Sequence, residues 1–195
     1  KVSEDKMVSE FLEAEMNSSR FRKRIIKELR KNKVSSRVVK KPNLSNAKEN
    51  IYRKKLLRIT RGYPDKRIFE NFPRKVEWYI VTLSKKSLGK VMYINHPYWN
   101  ELSNNTRLAL DAVKNIKINK EVYGVKNTLY FNILSEIKKR KNLPLMILVA
   151  KNKKSKIVVL EGHARLTAYF LDKKHIPKKI RVIIGYSDKI SKWGL

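Results

Sequence analysis

The stretch Lys156 to Leu171 limits the fold more than any other part of the chain. Ile157 to Leu160 is a short β-branched apolar run and predicts a buried strand. From Ala164 onward, Leu166, Ala168, Phe170 and Leu171 are available for the inward face of a helix. Glu161, Gly162 and His163 separate the two patterns, so Gly162 has to bend the strand directly into the helix. The first N–H groups of such a helix lack carbonyl partners and carry the positive end of its dipole. With His163 and Arg165 beside them, the bend predicts an anion seat fitted to the phosphates of a nucleotide. Gly162, His163, Arg165 and Thr167 are its candidate nucleotide-binding residues. Glu161 stands next to the expected phosphates, where it can hold Mg2+ through water or serve as a catalytic base. The same residues also fit a plain tight turn, with His163 as a cap, Arg165 solvated, or Glu161 paired with Arg165.

The other elements follow from their periodicity. Ser3 to Met16 predicts an acidic amphipathic helix capped by Ser3. Asn17-Ser-Ser19 starts a second helix running to about Lys31, with Phe21, Ile25, Ile26 and Leu29 inward. Asn32 to Pro42 reads as an aperiodic basic connector. Asn43 to Ser45 caps a third helix over Ala47 to Thr60, with Ile51, Tyr52, Leu56 and Ile59 inward. Phe69, Phe72 and Pro73 form an aromatic linker expected to pin these helices to the rest. Trp78 to Leu83 and Val91 to Ile94 predict strands, and Asn95 to Trp99 a loop whose His96 and Trp99 lie on the core or line a base pocket. Helices follow from about Ser103 to Ile116 and from Thr128 to about Arg140, with a Tyr123-Gly124 turn between them. Leu145 to Ala150 and Ile180 to Ile184 complete the strands, and Trp193 in the tail is expected to dock. Interleaved strands and helices make an α+β fold: a small mixed β-sheet with flanking helices over 76–195, preceded by a basic helical extension over 1–75.

Charge narrows the partner. The 195 residues carry 47 Lys and Arg against 17 Asp and Glu, a formal net charge of +30. Solubility needs far less, so a polyanion is expected, either DNA or RNA. The excess is densest in 17–75, which holds 21 Lys and Arg against 4 acids, and it clusters at Arg20, Arg22, Lys23, Arg24, Lys27, Arg30 and Lys31. Such a helix repels itself in isolation and is favoured once phosphates neutralise it. A solvated lysine-rich face is the plain alternative. The chain has no cysteine, which removes disulfides and thiolate chemistry and agrees with a reducing cytoplasm. No apolar run approaches the roughly 20 residues of a membrane span, so no membrane partner is expected, nor does the start carry a signal-peptide core.

Leu143 to Val149, Val158 to Tyr169 and Ile176 to Ile184, read in order, resemble the core of the ParB/sulfiredoxin-like superfamily. The resemblance covers roughly Asn127 to Ile184 and rests on a strand ending in Gly-x-x-Arg, a helix opening on phosphates, and a following strand. It implies CTP, ATP or ADP at Gly162 and Arg165, with His163 at a variable polar position. Sulfiredoxins place a cysteine in this motif and ParB proteins usually carry Glu-Arg-Arg after the glycine; His163-Ala164-Arg165 has neither feature, so neither activity transfers directly. There is no Walker loop and no Gly-x-Ser-x-Gly, and His96, His163 and His175 lack metal-ligand spacing, so no metal site of protein ligands is expected. The expected protein is therefore a nucleotide-binding ParB-like domain that grips nucleic acid through its basic helices. A phosphotransferase of the free-serine-kinase type, with Glu161 assisting, or a ParB-like nuclease are the enzyme alternatives, and a homodimer stays open.

Overall fold

The computed structural model describes residues 1–118, 121–122, 125–139 and 142–193. The chain opens with helix α1 (Glu4–Asn17), and the Ser3 hydroxyl accepts from the Lys6 N–H as its cap. Helices α2 (Ser19–Lys31), α3 (Arg37–Lys40) and α4 (Ala47–Arg61) follow. Strand β1 (Glu77–Ser84) leads into α5 (Lys85–Leu88), α6 (Pro97–Leu102) and α7 (Ala109–Ile118). A minimal hairpin of β2 (Glu121–Val122) and β3 (Val125–Lys126) precedes α8 (Thr128–Lys138). Then come β4 (Met146–Ala150), β5 (Ile157–Glu161), α9 (His163–Leu171) and β6 (Lys179–Tyr186).

The main sheet runs β1-β6-β4-β5, with β4 and β6 parallel and the outer pairs antiparallel. This is the expected α+β arrangement of a mixed sheet with flanking helices. Strand alternation sorts the apolar residues onto two faces. Met146, Leu148, Ala150, Val159, Val182 and Ile184 face one core, shared with Ala112 and Ile116 of α7, Leu134 of α8 and Leu166 of α9. Ile147, Val149, Val158, Leu160 and Ile183 face the other, shared with Met7 and Phe11 of α1, Ile25 of α2 and Leu56 of α4. The basic helical extension thus covers the second face of the sheet. The aromatic linker pins it there: Phe69 packs against Phe11 and Phe72, and Phe72 against Trp78 and Trp193. Trp193 docks as expected, its indole N–H donating to the Ile68 carbonyl.

Several local expectations change. Val91–Ile94 forms no strand; Met92 makes single bridges to Leu108 and Val158 at the rim of β5. The loop expected over Asn95–Trp99 is interrupted by α6, whose cap is His96, its Nδ1 accepting from the Tyr98 N–H at 3.2 Å. The connector Asn32–Pro42 contains α3, which buries Val38 and Val39. Asn46, not Asn43–Ser45, caps α4, and Ile51 is 69% exposed where the pattern put it inside. Arg53 takes the inward position instead, fully buried and donating to the carbonyls of Val38 and Asn43 and to Glu49 and Asn50. The expected Tyr123-Gly124 turn, and Arg140 at the expected end of α8, lie outside the described residues. Among the described residues, no helix is long and apolar enough to cross a membrane.

Candidate functional site

Gly162 makes the bend as its neighbours require. Its φ is +106°, and a Cβ there would sit 2.7 Å from Met146 Cγ and 3.2 Å from an Arg165 guanidinium nitrogen. Only glycine lets β5 turn into α9 at this spot. The helix starts at once, with the Leu166 N–H bonded to the Gly162 carbonyl at 2.8 Å.

The seat at this helix end already holds a carboxylate. Glu161 takes the Arg165 guanidinium and the Gly162 N–H, and Arg165 also donates to the Pro144 carbonyl. Arg165 is 8% exposed, so the reading with Glu161 paired to Arg165 is the one realised. Burial raises the Glu161 carboxyl above its usual range, against the pull of Arg165 and Arg61.

His163 brings no positive charge. Burial first, then Arg61, His96 and Arg165, push its imidazole down to about 3, so it is neutral at physiological pH. Its Nε2 accepts from the Ile94 N–H at 3.4 Å, and its ring stacks on Trp99 at 4.9 Å. Trp99 also stacks on Tyr93 at 4.6 Å, so it lies against the corner, whereas His96 is an exposed helix cap. Thr167 is fully buried, its hydroxyl between Tyr93 and the His163 carbonyl. Gly162, His163 and Arg165 are therefore brought together with Glu161, while Thr167 faces the core.

Sequence reasoning missed two groups beside this corner. Glu15 at the end of α1 is 4% exposed and pairs with Arg61 of α4 at 3.5 Å. Burial pushes the Glu15 carboxyl up to about 8; Arg61 and Arg20 oppose that shift, whereas Glu161 adds to it. Arg61 lies 4.2 Å over the Phe21 ring of α2. Neither group carries a local signal, because they meet only when α1 packs against α4.

The α2 cations form a second locus. Ile25 and Leu29 are buried and Phe21 and Ile26 half-buried, which fixes one side of the helix against α1 and α4. Arg20, Arg22, Lys23, Arg24, Lys27, Arg30 and Lys31 are all exposed. Among the described residues, none of the seven meets a carboxylate at ion-pair distance. Arg24 is aimed by a 2.8 Å bond to the Ile59 carbonyl, and Arg20 by its place over Phe21 at 5.0 Å. Among the described residues, no group of three His, Asp or Glu side chains gathers as a metal site would need. No family model, curated protein or solved structure matches the chain.

Proposed function

We propose that this protein binds nucleic acid, DNA or RNA, along the cationic face of α2. One observation carries the reading: seven cations on a single helix face solvent without carboxylate partners, while the opposite side of that helix is locked into the core. A self-repelling face held rigid in this way is stabilised by phosphates, whose release of counterions supplies the affinity. Contacts of this kind position a backbone and carry little sequence information. Replacing Arg22, Lys23, Arg24 and Lys27 by alanine tests it. Affinity for two duplexes of unrelated sequence should fall by the same factor, roughly 100- to 1000-fold at physiological salt if all four neutralise phosphates. Unchanged affinity would mean that the face is only solvated.

A second reading places a nucleotide phosphate, of CTP, ATP or ADP with or without Mg2+, at Gly162, His163 and Arg165. The observation in its favour is a built anion seat: a left-handed glycine, the open end of α9 and a buried guanidinium. The ligand would have to displace the Glu161 carboxylate from Arg165. A panel of nucleotides in a thermal-shift assay tests this directly, since a ligand that binds only the folded state raises the melting temperature. Absence of any shift at millimolar nucleotide would leave the seat as an internal ion pair.

A further inference from the structure

Two clefts that share Glu4 and Tyr63 lie along α4 and the start of β1. One, of about 360 Å3, is lined by Glu4, Lys54, Lys55, Arg58, Tyr63 and Pro64. The other, of about 330 Å3, shares Glu4 and Tyr63 and extends past Pro73, Arg74 and Lys75 to Glu77 and Trp78. Together they form one groove with exposed cations at both ends: Lys55 and Arg58 on α4, Arg74 and Lys75 ahead of β1.

The acids in the groove are already neutralised. Glu4 is held by Lys54 at 2.5 Å and by the Tyr63 hydroxyl, and Glu77 by Lys1. Lys55, Arg58, Arg74 and Lys75 meet no carboxylate at ion-pair distance among the described residues. Lys48, Ile51, Lys55 and Arg58 fall on one exposed stripe of α4 by their spacing of three and four residues. Arg24 of α2 bonds to the carbonyl of Ile59, the neighbour of Arg58, which ties α2 to the last turn of α4.

We infer that this groove is a second nucleic-acid contact, taking phosphodiester groups at Lys55, Arg58, Arg74 and Lys75. The inference rests on the nucleic-acid reading above and extends it: a strand gripped on α2 continues across α4 to the start of β1. A groove with cations at both ends and internally paired acids suits a chain of evenly spaced anions better than one small anion.

The test is the quadruple variant K55A/R58A/R74A/K75A of the intact chain, beside the α2 variant R22A/K23A/R24A/K27A. Affinity for a mixed-sequence duplex and for a single strand is measured over a salt series, with thermal melting as the fold control. The groove variant is expected to melt like the parent. Its plot of log affinity against log salt should flatten by about 3 to 4 on duplex, and by somewhat less on single strand. Lysine and arginine exchanged for each other at the four positions should restore the slope. A parental slope in the groove variant, with a flattened slope in the α2 variant, would overturn the groove and leave the α2 reading standing. Parental slopes in both variants would overturn both. Loss of binding to anionic phospholipid vesicles with no change on either nucleic acid would also overturn the inference, since the partner would be a lipid surface.

Discussion

At the scale of single residues, Arg165 and Glu161 show how much one i, i+4 pair decides. The sequence makes both an open anion seat and an internal pair legible; in the fold Arg165 is paired with Glu161 and held as well by the Pro144 carbonyl. Arg165→Ala leaves a buried carboxylate without its partner and is expected to destabilise the fold by about 3–5 kcal/mol. Combined with Glu161→Gln, the loss should be clearly smaller than the sum of the single losses, as denaturant unfolding of the double-mutant cycle would show. Glu15 sets a pH dependence. Its carboxyl is near 8 in the folded protein and near 4.5 when unfolded, so the folded state binds the extra proton between those values. Stability from this group is full below the lower value and is lost as pH rises through about 8. The melting temperature of the parent should therefore fall between pH 6 and pH 9 relative to Glu15→Gln; parallel profiles would show that Glu15 is not held protonated. Glu15 was not legible as special, since its burial depends on Arg61, 46 positions later by the numbering. Arg53 is likewise not legible as a core residue: besides Glu49 and Asn50 of its own helix, it is held by the carbonyls of Val38 and Asn43 in the segment ahead of α4.

At the scale of elements, the long periodic stretches were legible and the short ones were not. Helices α1, α2, α4, α8 and α9 and strands β1, β4, β5 and β6 fall close to where spacing puts them. The helices α3, α5 and α6 are too short to show a period and owe their form to capping and to the cores they abut, as when His96 caps α6. The last strand runs beyond Ile184 because Gly185 continues it opposite Trp78. A Cβ at Gly185 would lie 2.5 Å from the Trp78 ring and 2.6 Å from Val76. Gly185→Ala is therefore expected to cost about 1–3 kcal/mol in chemical denaturation. A neutral result would mean that β1 can shift to make room for a methyl group.

At the scale of the whole molecule, the sheet separates two helical layers. Helices α7, α8 and α9 build one layer, while α1, α2 and α4 cover the opposite face and display the cations. That the extension would share a core with the sheet was legible only in its aromatic linker; amphipathicity says that a face is buried, not against what. The charge excess was fully legible, and folding adds its placement, with Glu4, Asp5 and Glu10 of α1 paired to Lys54 and Lys6 and cations of α2 left outside. The central claim, that this outside face grips nucleic acid, is tested most directly by the affinity of the intact chain for a mixed-sequence duplex between 50 and 200 mM salt. If at least six cations engage phosphates, log affinity should fall linearly with log salt at a slope of roughly −5 or steeper. An affinity that stays flat over that range would contradict it.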